Sequence, residues 1–84
     1  MTLTILQDSI MRDKQRHTFN GMPLALRGDY KGNSNFYPSY TQHEVETAVS
    51  GLVDLGLCDS SGCRGIIELT LTKKGSELAC LMLS

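Results

Sequence analysis

Three kinds of side chain in this 84-residue sequence are equipped for chemistry: the thiols Cys58, Cys63 and Cys80, the imidazoles His17 and His43, and a scatter of carboxylates and cations. Nucleophilic catalysis needs a base within hydrogen-bond reach of the nucleophile, usually held by a third group. Neither histidine has a nucleophile at an informative spacing, the carboxylates read as helix caps and surface charges, and no glycine-rich loop is built to cradle a phosphate. Three cysteines with no pair of CxxC elements match neither a zinc site nor a secreted disulfide framework. Buried or free thiols are the plain reading. Cys58 and Cys63 are expected to flank a hairpin and to approach one another, which in a reducing cytosol amounts to a redox curiosity. The expectation is a non-enzyme with no catalytic residue, metal or cofactor.

Binding chemistry remains. Arg64 stands between Cys63 and Gly65 in a turn-rich stretch, Lys73 and Lys74 follow it, and Arg12-Asp13-Lys14-Gln15-Arg16-His17 form a mixed basic cluster. The net charge of -1 hides an asymmetry. Residues 1–40 carry five basic side chains against three acidic ones, a balance of +2, whereas residues 41–84 carry three against six, a balance of -3. Four of the five aromatics, Tyr30, Phe36, Tyr37 and Tyr40, fall in or beside a polar stretch that also holds Asn33, Ser34 and Asn35. Aromatics among adaptable polar groups suit an interface, and in a chain this small they also serve to complete a core.

The elements that position these groups are clearest after residue 40. Thr41-Gln-His-Glu44 is a capping box, with Tyr40 and Val45 placed to staple the helix start. Val45, Ala48, Val49, Leu52 and Val53 recur at helical spacing, and Gly56-Leu57 reads as a Schellman stop. The solvent stripe of that helix is His43, Glu46, Thr47, Ser50 and Asp54, with Gln42 and Glu44 near its start. The chain then runs through a turn-rich Ser60 to Gly65 into the alternating Ile67, Leu69 and Leu71, the pattern of a half-buried strand returning from a β-hairpin. Thr72 caps a last helix from Lys73 to Leu83 that turns Leu78, Leu81 and Met82 inward.

Before residue 40, Leu3, Leu6 and Ile10 fit an amphipathic helix from Thr2 to Arg16 whose basic end complements the helix dipole. Met22 to Arg27 reads either as a short helix opened by Pro23 and closed by Gly28 or as part of a strand entering at Phe19. Gly28 to Tyr40 is a loop. Hydrophobic content of 40% and charged content of 20% are ordinary for one folded domain spanning residues 1–84. No apolar run approaches the roughly 18 residues of a membrane span, and no leader pattern opens the chain, so a cytoplasmic protein is expected.

Val49-Ser-Gly-Leu-Val-Asp-Leu-Gly-Leu57 followed by Leu69-Thr-Leu-Thr-Lys-Lys-Gly-Ser-Glu-Leu78 resembles the winged-helix transcription regulators of the MarR-like and PadR-like kind, over residues 41–84. The resemblance implies an α+β winged helix: a three-helix core, a two-stranded hairpin wing and a C-terminal helix. It further implies a recognition helix and a wing that bind double-stranded DNA, with Gln42, His43, Thr47, Arg64, Lys73 and Lys74 as the contacts and a homodimer through the first and last helices. In helix-turn-helix units a turn of about three or four residues joins the helices, whereas here Gly28 to Tyr40 intervenes. Major-groove readers offer Arg, Lys, Asn or Gln to bases and positive charge to phosphates; this helix has neither Arg nor Lys. The competing expectation is a protein-binding module, with Tyr30, Phe36, Tyr37, Glu46 and Asp54 as its surface. By analogy with small phage proteins, an inhibitor of a host nucleic-acid-handling complex, such as an anti-CRISPR, belongs to that class.

Overall fold

A computed structural model describes residues 2–19, 24–63 and 65–83, the side chains of residues 19 and 63 excepted. The elements run α1 (Ile5–Phe19), β1 (Leu24–Arg27), α2 (Gln42–Asp54), β2 (Cys58–Cys63), β3 (Ile66–Leu71) and α3 (Lys73–Met82). The fold is α+β, with three helices and a three-stranded antiparallel sheet in the order β1-β3-β2 among the described residues.

Each end of α2 closes as its residue types dictate. The Thr41 hydroxyl accepts from the Glu44 amide at 3.1 Å, and the Glu44 carboxylate accepts from the Thr41 amide at 3.0 Å. At the other end Gly56 takes φ +75, the Leu57 amide donates to the Leu52 carbonyl at 3.0 Å and the Gly56 amide to Val53 at 2.9 Å, which is the complete Schellman pair. The start of α3 then locks onto this end. The Thr72 hydroxyl donates to the Gly56 carbonyl at 2.6 Å while accepting from the Gly75 amide at 3.0 Å, and the Lys74 ammonium donates to the Leu55 carbonyl at 3.1 Å. Gly56-Leu57 and Thr72-Lys-Lys-Gly75 are thus one contact in space. A Cβ at Gly75 would stand 1.8 Å from the Leu57 carbonyl oxygen, so only glycine fits there.

The core is a single cluster in which Leu6, Ile10 and Met11 of α1 meet Val45 and Leu52 of α2 and Leu69 of β3. Four expectations need correction. The first helix runs Ile5–Phe19 rather than Thr2 to Arg16, because Thr4 is its cap: the Thr4 hydroxyl accepts from the Gln7 amide at 3.1 Å and the Gln7 side chain accepts from the Thr4 amide at 3.0 Å. That is a second capping box, Thr4-Ile-Leu-Gln7. Of the stretch 22–27, residues 22 and 23 lie outside the described residues, and Leu24–Arg27 is a strand, not a helix; nor does a strand open at residue 19, which ends α1. Leu24 pairs with Leu69 and Leu26 with Ile67, so pairing with β3 decides the conformation of a four-residue stretch whose own periodicity is too short to do so. The core therefore holds no helix between β1 and α2, and the hairpin gains a third strand.

The third correction concerns the hairpin. Ser60 to Cys63 is strand rather than turn, with Ser60 opposite Leu69 and Cys63 opposite Ile66. Cys58 and Cys63 occupy opposite ends of β2, five steps of roughly 3.3 Å apart, far beyond the roughly 7 Å limit between the Cα atoms of a disulfide. The fourth is Leu81, which is 73% exposed. Gly75, Leu78, Ala79 and Met82 form the inward stripe, and position 81 falls outside it. Among the described residues no helix is long and apolar enough to cross a membrane.

Candidate functional site

The loop between β1 and α2 is an ordered double turn. Asp29 organises the first part: its carboxylate accepts from the Lys31 amide at 2.8 Å and the Asn33 amide at 3.0 Å. Gly32, at φ +85, closes the turn, and its carbonyl accepts from the Gln42 amide at 2.8 Å. Bridges Gly28–Ser34 and Asn33–Thr41 therefore hold this turn beside the start of α2. The second part is fastened to α1. The Tyr37 hydroxyl donates to Asp13 Oδ2 at 2.9 Å, and the Phe36 ring lies edge-on between His17 at 5.5 Å and Tyr37 at 5.0 Å. Burial first, then the bond to Asp13 and its negative charge, raise the Tyr37 phenol well above the usual tyrosine range.

On α2 the side chains of His43, Glu46, Thr47, Ser50 and Asp54 are all exposed, as expected. Thr47 donates back to the His43 carbonyl at 2.9 Å, so its hydroxyl proton is already engaged. Gln42 is half-buried and turns away from the stripe: its amide nitrogen donates to the Leu26 carbonyl at 3.3 Å, and its side-chain oxygen is buried without a hydrogen-bond partner. Of the remaining cationic contacts, Lys73 is exposed, Lys74 is exposed but caps the end of α2, and Arg64 lies outside the described residues.

Two of the three cations in the α1 cluster are engaged within the fold. Arg12 pairs with Asp8 at 2.5 Å and donates to the Met82 carbonyl at 2.6 Å at the end of α3, and Arg16 pairs with Asp13 at 3.1 Å. Among the aromatic set, Tyr30 is 91% exposed with the Lys31 ammonium 5.5 Å from its ring centre, and Phe36 is partly exposed. Tyr37 is half-buried and spends its hydroxyl on α1. The 29–33 turn stands beside the start of α2, and Glu46 follows one helical turn further along that helix.

Burial pushes the Cys58 thiol up to about 11, with Asp59 adding to the shift and Lys14 opposing it; the sulfur sits 3.7 Å from that of Met11. A thiol so shifted is a core group rather than a nucleophile at neutral pH. Cys80 is exposed, and its sulfur accepts from the Gln15 amide at 3.1 Å. No cluster of three or more His, Cys, Asp or Glu side chains among the described residues is arranged to hold a metal.

Sequence reasoning did not find the groove on the other flank of α2. It is open, has a volume of about 390 Å³, and is lined by Ile5, Leu6, Tyr40, Glu44, Thr47 and Ala48 among others. The signal for it was the Thr4-Ile-Leu-Gln7 box, which sets the phase of α1 so that Leu6 points in and Ile5 out. No protein-family model matches the chain, and no curated protein shows significant similarity to it.

Proposed function

We propose that the chain is a winged-helix-like module that binds a protein, using the exposed face of α2 and the adjoining loop to meet a positively charged partner surface. The observation that carries this reading is the charge of α2: it exposes Glu44, Glu46 and Asp54 and contains no Lys or Arg. Laid in a major groove, that face would bring carboxylates toward phosphates, where affinity depends on cations that displace counterions. Two of the three cations of α1, Arg12 and Arg16, are paired with Asp8 and Asp13, which leaves that helix a net charge of +1. A partner that itself handles nucleic acid carries the complementary charge, and an inhibitor role follows naturally from occupying such a surface.

The DNA-binding reading keeps one observation in its favour, the exposed Lys73 at the start of α3 close to the hairpin. A single experiment separates the two. Wild type is titrated with duplex DNA at about 50 mM salt, where phosphate contacts are strongest, and used in parallel to capture partners from source-cell lysate. The expected result is no saturable DNA binding, and a captured protein whose recovery falls at least tenfold in Glu46→Lys/Asp54→Lys. Saturable, salt-sensitive DNA binding that Lys73→Glu weakens would instead establish the regulator, and unchanged recovery with the α2 double variant would remove the acidic face as the surface.

A further inference from the structure

We infer that the groove between the start of α1 and α2 receives an apolar side chain from a basic segment of a protein partner, an inference that rests on the protein-binding reading of α2. Ile5 is the central observation. It is 81% exposed at the rim of the groove, although it is a large aliphatic residue one position from the buried Leu6. The Thr4 to Gln7 cap holds the first turn of α1 in place, so Ile5 cannot turn inward without undoing that cap. Folding gains little from Ile5, whereas a partner that covers it gains the burial of an aliphatic side chain.

The floor of the groove is apolar, from Leu6, Tyr40 and Ala48, and one wall is α2 with Glu44 and Thr47. No Lys or Arg lines it among the described residues. Glu44 is the carboxylate on that wall; Glu46 and Asp54 lie further round and along α2, on its exposed stripe. Few polar groups around an apolar floor is the usual make-up of a recognition pocket, and the sign of those groups selects the occupant: an aliphatic or aromatic anchor with Lys or Arg within a helical turn of it, laid along α2 as amphipathic segments lie in grooves. A second copy of this chain would bring the same carboxylates against each other, and a nucleic acid would bring phosphates. Both meet repulsion at this wall.

The test is an amide-resolved NMR titration of the full chain with three synthetic peptides of about twelve residues, amphipathic Leu/Lys, amphipathic Leu/Glu and uniformly polar Ser/Lys. The expected result is that Leu/Lys binds with shifts centred on Ile5, Leu6, Tyr40, Thr47 and Ala48, and that each of the other two binds at least tenfold more weakly. Ile5→Ser, which alters an exposed side chain, and Glu44→Gln, which keeps an acceptor for the cap and removes the charge, should each weaken Leu/Lys by fivefold or more. Equal binding of all three peptides, shifts centred elsewhere, unchanged affinity in Ile5→Ser, or a concentration-dependent dimer that Ile5→Ser abolishes would each overturn the inference. Capture of the lysate partner distinguishes the levels: recovery lost in Glu46→Lys/Asp54→Lys and retained in Ile5→Ser removes the groove alone, and recovery retained in both removes the protein-binding reading of α2 as well.

Discussion

Between Leu52 and Gly75 the chain is fastened mainly by backbone groups, with the Thr72 hydroxyl and the Lys74 ammonium, whereas α1 and the loop before α2 are fastened by side chains that reach across the molecule. In the first region Leu57 and Gly56 close the helix end, and Thr72 ties that end to the Gly75 amide. In the second, Gln7 reaches the Ala48 carbonyl 41 residues away, Arg12 reaches Met82 over 70 and Tyr37 reaches Asp13 over 24. The difference matters for how each region fails. A backbone closure depends on a glycine or a cap that nothing else replaces, while a side-chain reach is one of several contacts and its loss is shared.

The strongest way to break this comparison is a pair of glycine substitutions within helices. Gly75→Ala places a Cβ 1.8 Å from the Leu57 carbonyl oxygen and 2.7 Å from its carbon, against backbone that is itself locked by Thr72. We expect a loss of roughly 3 kcal/mol or more, the range of severe overpacking, read as a drop in urea midpoint with unchanged slope. Gly51→Ala meets only the Gln7 amide nitrogen at 2.5 Å, the far end of a flexible side chain. There the gain in helix propensity, about 0.5 to 1 kcal/mol, offsets the displaced Gln7 bond to Ala48, for a net change within about 0.5 kcal/mol. Similar midpoints for the two variants would end the distinction between backbone-locked and side-chain-held contacts.

The same division explains what the sequence revealed in advance. Thr41 with Glu44, Gly56 with Leu57, and Thr72 each announce an element boundary within a few residues, and each boundary stands where it was expected. Thr4 with Gln7 announces one too, and it sets the start of α1 that the apolar spacing of Leu3, Leu6 and Ile10 had placed too early. Leu24–Arg27 carried no local signal strong enough, because its strand character comes from β3. The exposed acidic stripe of α2 was readable from helical phase alone. The groove was not, since it needs Ile5 and Tyr40 brought together from separate elements, and neither was the inward turn of Gln42, which β1 imposes.

A finer comparison sets a cap against a long reach. Thr41→Ala removes the acceptor of the Glu44 amide and should cost about 1 kcal/mol. Tyr37→Phe removes the hydroxyl that donates to Asp13 and should also cost about 1 kcal/mol, since Asp13 keeps Arg16 as a partner. Equal totals then conceal different places of opening. Amide exchange should accelerate at Glu44 in the first variant, and at Asn33 and Asn35, whose amides bond within the loop and to Arg27, in the second. Uniform acceleration in both would mean that the loop and α2 open together as one unit.

The smallest effect tests the place where the two regions touch. Cys58 opens β2 and faces Met11 of α1, and burial raises its thiol from 9.0 to about 11. Because the folded pKa lies above the unfolded one, the native state holds a proton that the unfolded chain releases first, so the contribution is complete below about pH 9 and is lost as pH rises toward 11. Tyr37, also raised, acts in the same direction at higher pH. The melting temperature should therefore fall from pH 8 to pH 11, and the fall should be shallower in Cys58→Ala even though that variant starts from a lower value. Thiol labelling in a Cys63→Ser background gives an independent measure. At pH 8 the exposed Cys80 should react promptly and Cys58 only as the molecule opens, so its rate should rise with Tyr37→Phe only if α1 and the hairpin separate when the loop is released. Prompt labelling of both remaining thiols in the Cys63→Ser chain would show that α1 does not seal β2, and the junction between the two regions would have to be redrawn.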